Sequence, residues 1–418
     1  MNVLVFPCGS EIGLEVYRSL SKQKDVELIG GSSIDDHGMF VYQKYIGNIP
    51  QITEKNCISY LKSIVSKYSI DFIYPCMDVV LHFLKKNEKE LGCIVITSEY
   101  DTTDICSSKL KTYNFFENII RTPKVFNTFN DISFPVFSKP IIGSSSRNTF
   151  KILNESELKI NVFNYPNNMI VEYLPGEEYT VDCFTTKSGE LKFIGARKRT
   201  RISNGISVHT KCVHDDKINE IAHKINNNLR FNGAWFFQLK EDSEKKLCLL
   251  EIACRFAGSS AIHRMNGVNF AYLNLLNEKY DKLEILHNNL SIEIDRSFNI
   301  KCKTNLIFDN IYIDLDDTII IKNKINTDVI KFLYEMINKN KKIFLLTKHK
   351  YNVKQTLKKY KINKTLFDEI IQIKENDCKS NYIKSSSVFI DDSFSERLNV
   401  SKKCNIPVFS TDSINAIL

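Results

Sequence analysis

The chain has 418 residues, of which 43% are hydrophobic and 25% charged, a composition typical of globular domains that excludes wholesale disorder. The net charge of +8 is mild and no recognised nucleic-acid-binding module accompanies it, so nucleic-acid binding is not expected. The 12 cysteines form no C-x-x-C pair, which favours free thiols in a reducing compartment over a zinc site. No signal peptide and no stretch of 18 apolar residues is present, which predicts a cytoplasmic protein without membrane contact.

Residues 1 to about 105 alternate short apolar runs with helical patterns, beginning with the strand NVLVF. Gly9 and Gly13 bracket the turn that follows, and a helix then begins. Further strands are expected in VELIGGSS, IDFIYPC and CIVITS. This alternation predicts a parallel, doubly wound sheet. The glycine spacing, G-x-x-x-G, is weak evidence for dinucleotide binding and favours close packing of helix on strand.

From about residue 106 the pattern changes to α+β with antiparallel strands. A helix is expected in KTYNFFENI, and the strand FPVFSKP runs into the polar loop IIGSSSRNTF. In a later basic strand, Arg197, Arg199 and Arg201 alternate. Since alternate residues of a strand share one face, these three cations are expected to bind phosphates or a substrate carboxylate together. A solvated edge strand that discourages aggregation is the alternative.

A third block, from about residue 304, again alternates strands with helices and predicts a second doubly wound α/β fold. Its first strand ends in Asp314, Asp316 and Asp317, and a later strand ends in Asp391 and Asp392. Ligands in such folds bind beyond the carboxyl ends of the strands. Packed carboxylates repel one another unless a cation neutralises them, and carboxylate oxygens are the ligands that Mg²⁺ prefers. The block therefore predicts a magnesium site.

This third block resembles the haloacid-dehalogenase-like (HAD) hydrolases over residues 304–418. Four motifs of that family occur in order: a strand with D-x-D-x-[TV], a strand ending in Thr, a Lys, and a strand ending in an acidic pair. The residues that fit them are Asp314, Asp316, Thr318, Thr347, Lys379, Asp391 and Asp392. Lys374 is the alternative to Lys379. The spacing leaves no room for a large cap insert, so the neighbouring domain is expected to cover this site.

The HAD resemblance implies a phosphatase that works through an aspartyl phosphate. Asp314 would be the nucleophile, and Asp316 would protonate the leaving group and then activate water. Thr347 and Lys379 would hold the phosphoryl oxygens. The carboxylates that would hold Mg²⁺, or Mn²⁺ in its place, are those of Asp314, Asp316, Asp391 and Asp392.

Residues 1 to about 303 resemble the ATP-grasp superfamily together with its leading Rossmann-like domain. ATP carries about four negative charges, so Lys side chains and backbone N–H groups must face its phosphates. By this resemblance Lys139 contacts the phosphates, and an earlier lysine, Lys111 in preference to Lys109, plays a similar part. The loop that would close over the triphosphate comprises Gly143, Ser144, Ser145 and Ser146.

The segment IVEYLPGEEYTVD resembles the part of ATP-grasp proteins that holds the nucleoside. Glu172 and the backbone as far as Leu174 would pair with adenine, and Glu178 would accept hydrogen bonds from the ribose hydroxyls. Arg199 is the member of the basic strand assigned to ATP. A plain β-hairpin with exposed acids is the alternative.

The metal segment of the ATP-grasp resemblance comprises FFQLK and CLLEIACRFAGSS. Gln238 and Glu251 fit its pattern of oxygen ligands on two adjacent strands. Arg255 fits the arginine that stabilises a charged acyl-phosphate or tetrahedral species. The family usually has Asn two residues after the Glu, whereas this chain has Ala253, which cannot coordinate a metal.

The predicted fold is a multidomain α/β and α+β chain. Its domains would be a Rossmann-like pre-ATP-grasp domain at 1–105, an ATP-grasp domain at 106–303 and a doubly wound HAD-like α/β domain at 304–418. The implied activity is an ATP-dependent carboxylate–amine ligase that acts through an acyl phosphate, coupled to a Mg²⁺-dependent phosphatase.

The expected partners are a small-molecule carboxylate, an amine and a phosphorylated metabolite, in surface-polysaccharide or other small-metabolite synthesis. A homodimer is the default expectation. One alternative is a phosphotransferase or carboxylate–thiol ligase with an unrelated phosphatase. The other is a nucleotide-sensing scaffold with a degenerate ATP site.

Overall fold

A computed structural model describes residues 1–128, 132–143, 147–203, 205–297 and 300–417. Within this part of the chain, the strands form two parallel sheets, one at each end of the sequence, two antiparallel sheets between them, and a two-stranded hairpin in the C-terminal region. No helix of the described residues has the length and apolar character needed to cross a membrane.

The N-terminal region, residues 1–106, is a parallel sheet flanked by helices. Its strands are β1 (Asn2–Phe6), β2 (Glu27–Gly31), β3 (Tyr45–Ile46), β4 (Phe72–Pro75) and β5 (Ile94–Val95). Its helices are α1 (Glu11–Leu20), α2 (Gly38–Val41), α3 (Cys57–Tyr68), α4 (Asp78–Lys86), α5 (Glu88–Leu91) and α6 (Tyr100–Cys106). The sheet order is β3-β2-β1-β4-β5, with every pair parallel, as the alternation predicts.

The turn between β1 and α1 is built by its glycines and its N-cap. Ser10 caps α1 by accepting a hydrogen bond from the Gly13 backbone N–H at 3.0 Å, which satisfies one free donor of the first turn. A Cβ at Gly13 would lie 2.3 Å from the backbone oxygen of Cys8. Gly13 therefore permits close packing of the helix on the strand, as the G-x-x-x-G spacing indicates.

The middle region, residues 107–304, contains the two antiparallel sheets. The three-stranded sheet has the order β7-β6-β8 and consists of β6 (Val136–Pro140), β7 (Phe150–Ile152) and β8 (Asn168–Glu172). The seven-stranded sheet has the order β13-β12-β9-β10-β11-β14-β15. Its strands are β9 (Glu178–Thr185), β10 (Leu191–Ser203), β11 (Ile206–Cys212), β12 (Gly233–Glu241), β13 (Leu247–Ala253), β14 (Ile292–Arg296) and β15 (Ile300–Thr304). The helices are α7 (Lys109–Phe116), α8 (Glu155–Asn164), α9 (Asp216–Asn228), α10 (Ala261–Met265) and α11 (Phe270–Lys279).

The C-terminal region, residues 305–417, is a parallel sheet in the order β20-β19-β16-β21-β22, with a small hairpin of β17 and β18. Its strands are β16 (Asn310–Ile313), β17 (Ile320–Ile321), β18 (Lys324–Ile325), β19 (Lys342–Thr347), β20 (Glu369–Gln372), β21 (Ser387–Ile390) and β22 (Val408–Phe409). The helices are α12 (Thr327–Asn338), α13 (Val353–Lys359) and α14 (Phe394–Cys404). Short 3-10 helices span Lys364–Leu366, Lys379–Tyr382 and Ile414–Ile417.

Buried contacts hold the three regions against one another. Phe184 and Phe256 of the middle region belong to the same apolar cluster as Val16 on α1. Ile292 and Ile294 of β14 likewise belong to the core of the C-terminal region. The relative placement of the regions is therefore set by shared apolar cores, whose burial is the dominant favourable term in such packing.

Candidate functional site

Three carboxylates meet at the carboxyl edge of the C-terminal sheet. Asp314 follows β16 and Asp391 follows β21, and these two strands pair in parallel, so their ends lie side by side. One oxygen from each of Asp314, Asp391 and Asp392 lies within 4.8 Å of the others. Asp314 is 6% exposed and Asp391 1% exposed, so the cluster is formed below the surface.

Lys379 bridges the two buried acids of this cluster. Its Nζ lies 2.7 Å from Asp314 Oδ1 and 2.6 Å from Asp391 Oδ2, and the residue is 3% exposed. Burial opposes its charge, but the two carboxylates raise its pKa above the usual value. Of the two lysines considered from the sequence, the structure therefore brings Lys379 and not Lys374 into contact with the acids.

The electrostatics of the cluster call for a cation. Burial, together with the neighbouring charge of Asp391, raises the pKa of Asp314 to about 7. Burial also raises the pKa of Asp391 and of Asp392, despite the opposing effects of Lys379 and other cations nearby. A divalent cation would favour the ionised form of all three acids, and three carboxylate oxygens this close suit Mg²⁺.

Asp316 lies beside the three-carboxylate cluster and not in it. Its side chain is 53% exposed, and both of its oxygens lie 2.9 Å from Nδ1 of His349. Asp316 is predicted to bind the metal with the other three, but in this structure its carboxylate contacts the His349 ring and lies outside the cluster. Thr347 is fully buried at the end of β19, and His349 lies two residues further along the chain. The Nε2 of His349 lies 2.7 Å from Thr356 Oγ1.

The backbone of the acidic pair is held by Thr318 of the first motif and by Arg397, which belongs to none of the four motifs. The Asp392 backbone N–H donates to Thr318 Oγ1 at 3.0 Å. Arg397 Nη1 donates to the backbone oxygens of Asp391 at 2.7 Å and Asp392 at 2.8 Å. These bonds orient the acidic pair towards Asp314.

A second constellation lies between the two antiparallel sheets. Lys139 on β6 is 7% exposed and its Nζ donates to the Tyr113 hydroxyl. Burial and the charge of Lys109 lower the pKa of Lys139 to about 7. The Lys109 Nζ lies 3.2 Å from Glu251 Oε2 and 2.7 Å from the backbone oxygen of Gly143. Two lysines, a carboxylate and the start of the Gly-Ser loop are thus adjacent.

The structure brings Lys109, and not the preferred Lys111, to this site. Residues two apart on a helix point about 200° away from each other. Lys111 is 53% exposed, and its Nζ lies 2.7 Å from Asp104, whereas Lys109 faces Glu251. The Gly143 end of the predicted phosphate loop lies at this site, while Ser144, Ser145 and Ser146 lie outside the described residues.

Gln238 and Glu251 are paired directly across β12 and β13, as two oxygen ligands on adjacent strands should be. Arg199 donates to Gln238 Oε1 at 3.3 Å and forms an ion pair with Glu178. Ala253, two residues beyond Glu251 on β13, brings no ligand atom to this face. The Glu251 carboxylate and the Gln238 amide are therefore side by side, whereas position 253, where the family usually has Asn, supplies no oxygen ligand.

The remaining predicted nucleoside residues have protein partners. Glu172, at the end of β8, pairs with Arg121 at 2.8 Å, and Leu174 is buried. Glu178 is held by Arg199 and, at 3.5 Å, by Lys240. An incoming nucleoside would therefore meet Glu178 in an already paired state.

Arg255 forms a two-pronged ion pair that the sequence did not indicate. Its Nε and Nη2 each lie 2.7 Å from the carboxylate oxygens of Asp78, the first residue of α4 in the N-terminal region. Burial opposes the ionisation of both side chains. The attraction between them outweighs this effect, so the pKa of Asp78 is lowered and the pKa of Arg255 is raised. The only sequence signal for Asp78 was its place after the apolar strand β4.

The three alternating arginines of β10 do not act as one basic face. The pairing of β10 with β11 shifts register on both sides of Arg201. Arg197 is 1% exposed and donates to Asp182 at 2.7 Å, and His263 contacts the same carboxylate at 3.1 Å. Although burial opposes it, this pairing lowers the pKa of Asp182 to about 2. Arg199 alone reaches the Gln238 site, so the expectation of a shared face is corrected.

Comparison with known proteins agrees with this arrangement of the middle region. Residues 164–297 match the family described as "ATP-grasp in the biosynthetic pathway with Ter operon". We call residues 107–304 the ATP-grasp region, because residues 164–297 are similar to this family. A D-alanine–D-alanine ligase of Thermotoga petrophila is 27% identical over 132 residues, which are 29% of this chain and 44% of that ligase. The chain thus matches less than half the length of this relative.

Solved structures share the ATP-grasp fold at low sequence identity. The biotin carboxylase domain of Hydrogenobacter thermophilus 2-oxoglutarate carboxylase, solved with MgADP, has a TM-score of 0.60 and 13% identity, covering 71% of this chain and 74% of that one. An L-amino acid ligase from Bacillus licheniformis has a TM-score of 0.57 and 15% identity, covering 70% of this chain and 79% of that one. At these identities the likeness shows the fold alone. The predicted ATP-grasp resemblance is confirmed at that level.

Proposed function

We propose that the ATP-grasp region, with the N-terminal region, is an ATP-dependent carboxylate–amine ligase. The observation that carries this proposal is the pairing of Gln238 with Glu251 beside the cations of Lys109 and Lys139. ATP and Mg²⁺ are the cofactors, since these oxygens suit Mg²⁺ and the lysines suit its phosphates. A D-alanine–D-alanine ligase among the relatives supports the amide-forming class.

In the proposed reaction, a substrate carboxylate attacks the γ-phosphorus of ATP, and ADP leaves. The acyl phosphate is then attacked by an amine, and phosphate leaves as the amide forms. Phosphoryl transfer depends mainly on positioning and electrostatics. Lys109 and Lys139 supply the positive charge that faces the phosphates. Arg255, four residues after Glu251, is oriented by Asp78 and would neutralise the acyl intermediate.

Because Ala253 replaces the Asn of the ATP-grasp pattern, the proposed ligase site offers one protein oxygen fewer for binding Mg²⁺. Gln238 and Glu251 would hold Mg²⁺ with the nucleotide phosphates, and the ion would neutralise the charge that develops on them. A weaker hold on metal is the expected consequence, and it gives the ligase a higher Mg²⁺ requirement.

The C-terminal region is proposed as a phosphatase of the HAD type. The carrying observation is that Lys379 bridges Asp314 and Asp391 at the carboxyl edge of a parallel sheet, with Asp392 beside them. In this reaction Asp314 attacks phosphorus, the bond to the leaving oxygen breaks, and Asp316 provides a proton to that oxygen. Water, deprotonated by Asp316, then hydrolyses the aspartyl phosphate. Bound Mg²⁺ would supply charge stabilisation at the phosphoryl group.

The two sites together suit a chain that makes an amide and removes a phosphate from its amine substrate or its amide product. The regions correspond to three proposed domains, at 1–105, 106–303 and 304–418. Surface-polysaccharide or small-metabolite synthesis is the proposed setting, with an unidentified small carboxylate and amine.

The decisive experiment measures ADP and phosphate release in parallel. Purified protein is given ATP, Mg²⁺ and panels of carboxylates, amines and phosphomonoesters, alongside Glu251→Ala and Asp314→Asn variants. We expect ADP release to need both a carboxylate and an amine and to disappear only with Glu251→Ala. We expect phosphomonoester hydrolysis to disappear only with Asp314→Asn. ADP release with a carboxylate and no amine would instead favour a phosphotransferase, and absence of turnover at either site would refute both proposals.

A further inference from the structure

Lys24 lies on the loop after α1, in the N-terminal region, yet its side chain reaches the C-terminal site. Its Nζ lies 3.3 Å from Asp392 and 3.2 Å from Asp317. Asp392 belongs to the three-carboxylate cluster, and Asp317 follows the D-x-D motif on the chain. The ammonium group therefore borders the pocket in which the proposed phosphatase holds phosphate.

Buried bonds fix the helix that carries this loop. Glu15 on α1 is 2% exposed and accepts from Arg264 Nε at 2.8 Å. Arg264 also donates to the backbone oxygen of Asp412 at 2.7 Å, and Asn269 donates to the Asp412 carboxylate at 3.1 Å. These contacts join all three regions, and such networks are rigid when their members are satisfied. The approach of Lys24 is therefore a built feature of the interface.

The same loop meets the C-terminal region at two other points. Lys22 lies 3.7 Å from Asp328 at the start of α12. Glu27 lies 3.8 Å from Lys322, in the turn between β17 and β18. Residues 22–27 thus lie against the C-terminal region, and Lys24 is the one of these three that contacts the carboxylate cluster.

The charge at this site explains why a further cation is needed. Lys379 is buried and already engaged by Asp314 and Asp391. A phosphomonoester brings roughly two more negative charges into a site already rich in carboxylates. The side chain of Lys24 is 56% exposed, so it can move from Asp392 to an incoming anion without being desolvated.

We propose that Lys24 is a substrate-binding residue of the C-terminal site, and that it holds the phosphoryl group of a phosphomonoester from the N-terminal region. This inference rests on the proposed phosphatase function. It means that the phosphatase pocket is completed by residues from the other end of the chain, and it identifies what covers the site in the absence of a cap.

The test compares Lys24→Ala and Lys24→Arg with Lys22→Ala in the full-length chain. Lys22 is the matched control, because it forms an ion pair at the same interface but with Asp328, outside the carboxylate cluster. Hydrolysis of p-nitrophenyl phosphate gives KM and kcat. Calorimetric titration with inorganic phosphate in the presence of Mg²⁺ gives a binding constant that does not depend on turnover.

For Lys24→Ala we expect both KM and the phosphate dissociation constant to rise about tenfold, as for loss of one charge-assisted contact, with kcat changed less than about threefold. Lys24→Arg should recover most of the affinity, and Lys22→Ala should match the wild type. Unchanged phosphate affinity in Lys24→Ala would overturn the inference, even if Asp314→Asn abolishes hydrolysis. If the wild type binds phosphate but hydrolyses no phosphomonoester, and Lys24→Ala weakens that binding, Lys24 is supported as a ligand and the phosphatase is refuted.

Discussion

Replacing Asp314 by Asn should make the metal-free protein more stable at neutral and alkaline pH while abolishing the proposed phosphatase activity. The pKa of this buried carboxyl is raised to about 7, first by burial and then by Asp391. The folded protein therefore binds a proton there that the unfolded chain releases near pH 4. The protonated Asp314 carboxyl therefore adds to the free energy of unfolding at low pH, and this contribution is lost as the pH rises through about 7. Asn is neutral throughout and does not suffer this loss.

The size of the effect follows from proton linkage. Each pH unit between the unfolded and folded pKa values changes the free energy of unfolding by up to about 1.4 kcal/mol. Between pH 5 and pH 7 the wild type should therefore lose up to about 3 kcal/mol relative to Asp314→Asn. Mg²⁺ should reverse the trend, because it binds the ionised carboxylates and thus stabilises the folded wild type.

The assay is thermal unfolding in a chelator, at pH 5, 6, 7 and 8, for wild type, Asp314→Asn and Asp328→Asn. Asp328 is the matched control, since it lies in the same region and its side chain is 71% exposed. The Tm of Asp314→Asn should overtake that of the wild type as the pH rises, and added Mg²⁺ should restore the wild type alone. A Tm difference that stays constant from pH 5 to pH 8 would refute the raised pKa of Asp314 on which this prediction rests.

Three further predictions concern the ATP-grasp region. Glu251→Ala should lower amine-dependent ADP release by about a hundredfold or more and leave p-nitrophenyl phosphate hydrolysis unchanged, whereas equal losses in both assays would mean misfolding. Ala253→Asn should lower the Mg²⁺ concentration for half-maximal ADP release by about tenfold, and an unchanged requirement would show that position 253 is not near the metal. ATP binding at pH 8 should take up nearly one proton, since the pKa of Lys139 is lowered to about 7 in the free protein and phosphates favour its charged form. Titration in buffers of different ionisation enthalpy should detect this uptake in the wild type and not in Lys139→Met, and uptake in both would exclude Lys139.

The parts of both sites that follow from local pattern were predictable from the sequence. Asp314 and Asp391 come directly after apolar strands, and parallel strands bring such ends together. Gln238 and Glu251 are likewise fixed by adjacent antiparallel strands. In each case the position of a residue in its own element determines where its side chain lies.

The sequence did not reveal features that depend on the exact rotation of a helix, on the register of a strand, or on contacts between residues far apart in the chain. Lys109 and Lys111 differ by two helical positions, and only the exact orientation of α7 decides which faces Glu251. The irregular register around Arg201 breaks the alternation on which the shared arginine face depended. Lys24 and Asp317 are separated by 293 positions, so no local pattern relates them.

Helix α1 and the loop after it contact both of the other regions. At its first turn, Glu11 forms an ion pair with Arg296 of the ATP-grasp region. Beyond its last turn, Lys24 reaches Asp392 of the C-terminal region. The helix has 10 residues and is therefore about 15 Å long.

This arrangement gives a physical reason for one chain to contain both proposed sites. The N-terminal region gives Asp78 to Arg255 near one site and Lys24 to Asp392 at the other. Separating the C-terminal region would remove that cation from the phosphatase and expose the apolar surface that it shares with β14. The covalent link therefore does more than keep the two proposed sites close together, because each is completed by side chains from the same N-terminal sheet and its helices.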